Sequence, residues 1–332
     1  MAFIIAEIGM NHNGSFKIAK DMIKAAAKCG ADAVKFQTHI AEAETLRNAP
    51  SPPYFKSESR YNYFKRTAFS LDEYKKLKAY TRSLGLKFIS SVFSIEAVDF
   101  LEKLGVSIYK VPSGEVNNVP LLERLSKTGK KIILSSGMST WKELDCAVKV
   151  LRSNKKNKVI ILQCTSEYPC MPKDAGLNAM VAMKNKYKIE AGFSDHTSGI
   201  GVSIAAVTLG ALVIEKHFTL SKYLYGPDAK NSATPQEFSI LVKGIREAEA
   251  ALKSKVNKDK KAAGLKHMKK IFEKSIVAAC DIPEGTIIKE CHLAYKKPGD
   301  GMPAKRYKEL IGKKARKAIK YNQQIKFSMF CI

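Results

Sequence analysis

Eight short apolar runs recur along the first 252 residues, and each is followed by a stretch of helical periodicity. The runs are Phe3-Ile-Ile-Ala-Glu-Ile8, Ala33-Val-Lys-Phe-Gln-Thr38, Lys87-Phe-Ile-Ser-Ser91, Ser107-Ile-Tyr-Lys-Val111, Lys131-Ile-Ile-Leu-Ser-Ser136, Val159-Ile-Ile-Leu-Gln-Cys164, Ala191-Gly-Phe-Ser194 and Leu212-Val-Ile-Glu215. Helical patterns fall between them, from Ser15 to Lys28, Ser70 to Leu84, Ile95 to Leu104, Val119 to Lys127 and Thr140 to Arg152, with a closing one from Pro235 to Leu252. Strand and helix in strict alternation predict an α/β fold, a parallel (β/α)₈ TIM barrel.

A barrel of this kind carries its chemistry where the strands end, and polar residues gather there. Glu7, Lys35 with Gln37, Ser90 with Ser91, Lys110 with Ser113, Ser135 with Ser136, Thr165 with Ser166, Ser194 with Asp195 and His196, and Glu215 with His217 all fall at or just beyond a strand end. A serine at a loop start needs no special reason. A lysine inside an apolar run does, because it is costly to bury without an anionic partner. Lys35 and Lys110, with the serines, form a bed suited to a phosphate or carboxylate; a barrel lysine that forms a Schiff base is the other chemistry open to them. His196 and His217 follow neighbouring runs, which would bring two imidazoles to one rim and suggests a metal. Such a pair taken alone suits zinc at least as well as a harder ion.

Composition excludes some classes. No apolar stretch approaches the roughly 20 residues of a membrane span, and the first residues lack the basic start and cleavage pattern of a leader. The 7 cysteines are scattered, odd in number and without a Cys-x-x-Cys pair, so neither a disulfide framework nor a structural zinc site is expected, and the compartment reads as a reducing cytoplasm. The formal charge is +26, and residues 253 to 332 hold 21 Lys+Arg against 7 Asp+Glu, 14 of that excess. These lysines are dispersed rather than set among aromatics, so nucleic acid is not the expected partner; a polyanion-binding protein on a degenerate barrel is kept as an alternative.

Several motifs carry a family resemblance. Ile5-Ala-Glu-Ile-Gly-Met-Asn-His-Asn-Gly14, Val34-Lys-Phe-Gln-Thr38, Tyr109-Lys-Val-Pro-Ser-Gly-Glu115, Ile133-Leu-Ser-Ser-Gly-Met138, Cys164-Thr-Ser-Glu-Tyr-Pro169, Gly192-Phe-Ser-Asp-His-Thr197, Ile214-Glu-Lys-His-Phe-Thr219 and Gly226-Pro-Asp228 together resemble the sialic acid (N-acetylneuraminate) synthase family, which includes legionaminic and pseudaminic acid synthases. Ser275-Ile-Val-Ala-Ala-Cys-Asp-Ile-Pro-Glu-Gly-Thr-Ile-Ile288, Leu293 to Gly299 and Ile311-Gly-Lys-Lys-Ala315 resemble the antifreeze-like (SAF) domain of those enzymes. The implied organisation is a barrel over 1–252, a basic linker over 253–270 and a small β-rich SAF domain over 271–332.

The resemblance implies condensation of phosphoenolpyruvate with an N-acylated mannosamine-type sugar. N-acetylmannosamine, giving N-acetylneuraminate and phosphate, is expected first, and 2,4-diacetamido-2,4,6-trideoxymannose, giving N,N'-diacetyllegionaminate, is the alternative. It implies Mn²⁺ or Mg²⁺ on His196 and His217, and phosphoenolpyruvate held by Lys35, Lys110, Ser113, Ser135 and Ser194 with Ser91 and Tyr168 nearby; Ser166, a further substrate-binding candidate, stands where some sialic acid synthases carry an asparagine, a variation associated with the legionaminic branch. Glu7 would stand near the metal and aldehyde, and Glu115 would manage the proton of the attacking water; structural pairing of Glu7 and Glu115 with the lysines is the competing reading. Asp228 would accept hydroxyl hydrogen bonds from the sugar, Phe93 would pack against it, and Gln37 is a further substrate-binding candidate. A homodimer that exchanges its SAF domains is implied as well, with Lys297 standing where relatives use an arginine for the N-acyl group. Lysine lacks the planar fork of that arginine, and Ser91-Val-Phe93 replaces a Thr-Pro-Phe. The contacts that choose the sugar are expected in the loop over 41–66 and in the tail.

Overall fold

The computed structural model describes residues 1–51 and 58–331, and these form two compact units that divide between Lys253 and Ser254. The first is a closed barrel of eight parallel strands: β1 (Phe3–Gly9), β2 (Ala33–Thr38), β3 (Lys87–Val92), β4 (Ile108–Val111), β5 (Lys131–Ser135), β6 (Lys158–Gln163), β7 (Glu190–Asp195) and β8 (Val213–His217). Each pairs with the next, and β8 returns to β1 with Val213 opposite Phe3 and His217 opposite Glu7. The α/β barrel expected from the sequence is therefore the fold, and strand ends lie within two residues of the apolar runs.

The helices begin where the sequence offers a cap. Ser15, Ser70, Ser94 and Thr140 each accept a backbone N–H of the first turn, and Glu73 and Glu143 complete reciprocal capping boxes. Such a cap contributes about 1 kcal/mol. Two extra helices, Ala41–Glu44 and Arg60–Thr67, lie between β2 and β3. Residues 52–57, part of the 41–66 loop expected to choose the sugar, lie outside the described residues.

Alternation along the strands divides the interior into levels. Outward residues such as Ile4, Phe36, Leu134 and Phe193 pack under the helices in the main core. Inward residues at the lower level, Ile5, Ala33, Ile89, Ile133, Ile160, Leu162 and Val213, form an aliphatic plug. Two residues further along the same inward rows come Glu7, Lys35, Ser91, Ser135 and Glu215, so the plug floors a polar chamber. Gly192 interrupts the inward row of β7 because a Cβ there would lie 2.3 Å from the Val213 carbonyl oxygen.

The second unit has its own core of Ile276, Ile282, Ile288, Leu310, Ile319, Ile325 and Phe330. Its regular sheet is small, β9 (Ser275–Ala278) antiparallel to β10 (Leu293–Lys296), extended by isolated bridges such as Ile282 to Ile319 and Ala315 to Phe330. The stretch expected as a linker instead carries two short helices, Lys258–Gly264 and Lys266–Phe272, with no buried residue in either. Among the described residues no helix is long and apolar enough to cross a membrane, and all seven cysteines are free.

Candidate active site

The chamber above the plug is a cavity of about 370 Å³. Of the sixteen residues tied to substrate or metal through the family resemblance, fifteen line it: Glu7, Lys35, Gln37, Ser91, Phe93, Lys110, Ser113, Glu115, Ser135, Ser166, Tyr168, Ser194, His196, His217 and Asp228; of the other strand-end residues Glu215 lines it, and Ser90, Ser136, Thr165 and Asp195 do not. Lys297, the sixteenth, belongs to the second unit, where its ammonium lies 5.1 Å from the centroid of the Phe272 ring.

Four buried ions make the floor of the chamber. Lys35 Nζ lies 2.8 Å from Glu7 Oε1 and 3.8 Å from Glu215 Oε2, and Lys110 Nζ donates to Glu215 Oε1 at 3.2 Å. Ser91 Oγ accepts from Lys35 at 2.9 Å, and Ser194 Oγ donates to Glu215 at 2.9 Å. Burial alone would lower the affinity of Lys35 for its proton, but Glu215 and Glu7 overcome it and hold the ammonium. For Lys110 burial wins: one shared carboxylate does not offset desolvation and the neighbouring Lys35 charge, so its pKa falls. Desolvation opposes ionisation of Glu215, yet the two ammonium groups hold its carboxyl well below the usual range. Glu7 thus does pair with a lysine. Glu115 does not: it accepts from Asn118 Nδ2 at 2.7 Å, and burial raises its pKa.

One side of the chamber is a cradle around Gly137. A Cβ at that position would meet Ser166 Oγ at 2.5 Å, Cys164 Sγ at 2.7 Å and Ser113 Oγ at 2.8 Å. Ser135 Oγ, also buried and on the cavity lining, has no hydrogen-bond partner among the described residues.

Above the ions stand the imidazoles. His196 and His217 lie 5.7 Å apart between ring centroids, and Tyr168 stacks on His196 at 4.3 Å. His196 Nδ1 is bonded to the Thr165 carbonyl oxygen at 2.7 Å, which requires a proton on Nδ1 and leaves Nε2 as a lone-pair donor beside the Tyr168 hydroxyl at 3.3 Å. Burial, with His217 adding to it, pushes the His196 pKa down to about 3, so the ring is neutral. Among the described residues His217 Nδ1 is buried without a hydrogen-bond partner, 4.0 Å from Asp228 Oδ2. No group of three or more His, Cys, Asp or Glu with metal-binding geometry occurs among the described residues. The two-imidazole set still fits a divalent cation that keeps open positions, since both rings line one cavity and His217 Nδ1 has no hydrogen-bond partner among the described residues.

Sequence reasoning missed part of the wall. Glu215 was named at a strand end but given no role, although its place in an apolar run, two residues before His217 on the same face, was a usable signal. His39 also lines the cavity and carried no signal in the sequence, whereas Arg60, Tyr63 and Phe64 line it from the 41–66 segment in which the sugar-choosing contacts are expected.

Comparison with known proteins agrees with this architecture. Residues 22–257 match the NeuB family and residues 273–330 the SAF domain. The chain is 41% identical over 330 residues to the N,N'-diacetyllegionaminic acid synthase of Campylobacter jejuni subsp. jejuni serotype O:2, covering 97% of this chain and 98% of that protein. It is 40% identical over 322 residues to the N-acetylneuraminate-9-phosphate synthase of Homo sapiens, covering 94% and 88%. Among solved structures, the N-acetylneuraminic acid (sialic acid) synthetase of Leptospira borgpetersenii serovar Hardjo-bovis, in complex with citrate, superposes with a TM-score of 0.70 at 31% identity, over 80% of this chain and 91% of that one. With the family model matching most of the barrel, the SAF model matching the tail, and relatives of about 40% identity aligned over nearly the whole length, the chain belongs to the NeuB family of sialic, legionaminic and pseudaminic acid synthases.

Proposed function

We propose that the protein condenses phosphoenolpyruvate with the open-chain aldehyde of an N-acylated mannosamine-type sugar, and that 2,4-diacetamido-2,4,6-trideoxymannose is its acceptor. The reading is carried by one observation: two buried lysines, two buried carboxylates and two imidazoles share one chamber at the ends of the strands. Phosphoenolpyruvate lies over Lys35 and Lys110, with its oxygens on Ser113, Ser135, Ser166 and Ser194. The aldehyde lies toward Glu7 and the imidazoles, and the sugar toward Gln37, Phe93, Asp228 and a Lys297 supplied by an exchanged SAF domain in a homodimer.

Carbon 3 of phosphoenolpyruvate attacks the aldehyde carbon with the enol π electrons, which forms the carbon–carbon bond and leaves a cationic carbon 2. The former aldehyde oxygen ends as a hydroxyl by taking up one proton; water adds at carbon 2, one of its protons passing to Glu115, and the new hydroxyl collapses to the ketone as the bond from carbon 2 to the phosphate oxygen breaks, its remaining proton leaving with the phosphate. Glu115 suits the task because burial raises its pKa toward working pH. The ammonium groups hold the anionic donor from ground state to release. A divalent cation, Mn²⁺ or Mg²⁺, held by His196 and His217 would supply Lewis acidity at the aldehyde oxygen.

The diacetamido sugar is favoured over N-acetylmannosamine by the end-to-end likeness to the Campylobacter diacetyllegionaminic acid synthase. The aromatic wall of Tyr63, Phe64 and Phe93 adds support, as it offers apolar surface to a deoxy carbon and acetamido methyl groups. N-acetylmannosamine, expected first from the motifs alone, is supported by the Leptospira structure. Seven free cysteines support a reducing, cytoplasmic setting. The test is phosphate release with phosphoenolpyruvate and each sugar in turn. Release needs both substrates and is faster with the diacetamido sugar. Release with neither sugar overturns the reaction, and a preference for N-acetylmannosamine overturns the acceptor. Borohydride trapping of pyruvate on Lys110, whose lowered pKa is what a Schiff base needs, would favour the aldolase instead.

A further inference from the structure

A buried relay runs from the segment after β2 into the ion floor. Glu44 Oε1 lies 2.6 Å from His39 Nδ1, and His39 Nε2 lies 3.0 Å from Gln37 Oε1. Gln37 Nε2 donates to Glu7 Oε1 at 2.9 Å, and that same oxygen holds Lys35 at 2.8 Å. The donor order is fixed by the acid at its end. A carboxylate only accepts, so the Gln37 amide must turn its NH₂ to Glu7 and its carbonyl to His39, and His39 must carry a proton on Nε2. Turned the other way, the carbonyl would face the carboxylate.

The imidazole cannot drift from that post. Its ring is stacked on Phe64 at 3.7 Å with 6° between planes and on Phe93 at 4.1 Å with 23°. Two rings so nearly parallel to a third must cover opposite faces. The Arg60 guanidinium lies 5.3 Å from the Phe64 centroid and extends the stack. Held on both faces and at both nitrogens, His39 is 5% exposed.

The consequence falls on Glu7. Among the described residues both of its partners use Oε1, and Oε2 is buried without a hydrogen-bond partner beside the cavity. We infer that His39 is a positioning residue: by fixing the Gln37 amide it commits Glu7 Oε1 to the floor and presents Oε2 to a hydroxyl or aldehyde group of the acceptor. The inference rests on the proposed condensation and deepens it, since it assigns the acceptor half of the chamber and leaves phosphoenolpyruvate on the lysine and serine half.

The test is steady-state kinetics of the full chain with both substrates varied, using 2,4-diacetamido-2,4,6-trideoxymannose and N-acetylmannosamine. His39→Phe keeps an aromatic ring in the stack and removes the donor to Gln37. Its acceptor KM should rise, or its kcat fall, by about tenfold or more, as misplacement of one contact does. Its KM for phosphoenolpyruvate should stay within about twofold. His39→Gln, which still reaches Gln37 with an N–H, should recover part of the loss, and it carries the test alone if the phenylalanine variant does not fold. A merely structural role would move both substrate constants together, and that result, or two variants kinetically like wild type, overturns the assignment. Wild type inactive with either sugar overturns the condensation itself and this inference with it.

Discussion

His196 and His217 hang from the ends of adjacent strands with ring centroids 5.7 Å apart, and both rings line one chamber. Among the described residues neither ring has a carboxylate within hydrogen-bonding reach, and burial keeps His196 neutral. Dialysis of the protein against a chelator should abolish phosphate release, and Mn²⁺ or Mg²⁺ should restore it. His217→Ala should weaken Mn²⁺ binding to the free protein, read by electron paramagnetic resonance, by about tenfold or more. Turnover untouched by the chelator would contradict the pairing.

Glu215 is shared by Lys110, Ser194 and the more distant Lys35. Glu215→Ala would leave buried ammonium groups without their counterion, at a cost of about 3–5 kcal/mol. Because the folded pKa of Glu215 is depressed, its stabilisation is complete above the usual carboxylate range and is lost as pH falls through the lowered value. Urea unfolding of the variant at neutral pH checks the cost. Adding Lys110→Met should recover part of it, and an unfolding midpoint for Glu215→Ala equal to wild type would show that the ions do not depend on one another.

Glu115 must be ionised to take a proton, and burial keeps it protonated to higher pH than an ordinary glutamate. The acid limb of kcat/KM should therefore lie above the usual carboxylate range. Asn118 donates to the charged form, so Asn118→Leu should move that limb to higher pH still. Glu115→Gln should remove it. A pH profile for Asn118→Leu that overlays wild type would dissociate Glu115 from the limb.

Gly137 leaves open the space that Ser113, Cys164 and Ser166 enclose. Gly137→Ala puts a methyl group where the donor's oxygens are proposed to lie, and should raise the KM for phosphoenolpyruvate about tenfold or more while moving the acceptor KM less. Equal shifts in both constants would place the donor elsewhere.

Much of this could be read from residue order. Period-two alternation sets the parity of every strand, so Lys35, Lys110, Ser135, Ser194 and His217 had to share the inward face once the apolar runs were strands. The segment after β2 carries no such rule. That segment is expected to reach the sugar, but which of its side chains do so, Arg60 and Phe64 among them, is decided by how Arg60–Thr67 packs, and no local pattern states that. The Lys258–Gly264 and Lys266–Phe272 helices were hidden for a different reason: they bury nothing, so hydrophobic periodicity is silent, and what remains is the helix preference of lysine and alanine with the Asn257 cap.

The chamber floor draws its opposite signs from different strands: carboxylates from β1 and β8, ammonium groups from β2 and β4. Slip any one of those strands by a single residue and its ion turns to the helix side, while the partner is stranded over hydrocarbon. The floor thus acts as a gauge of alignment, letting the cylinder close in only one way, and the grip on a future substrate is in place as soon as the chain has checked its own assembly.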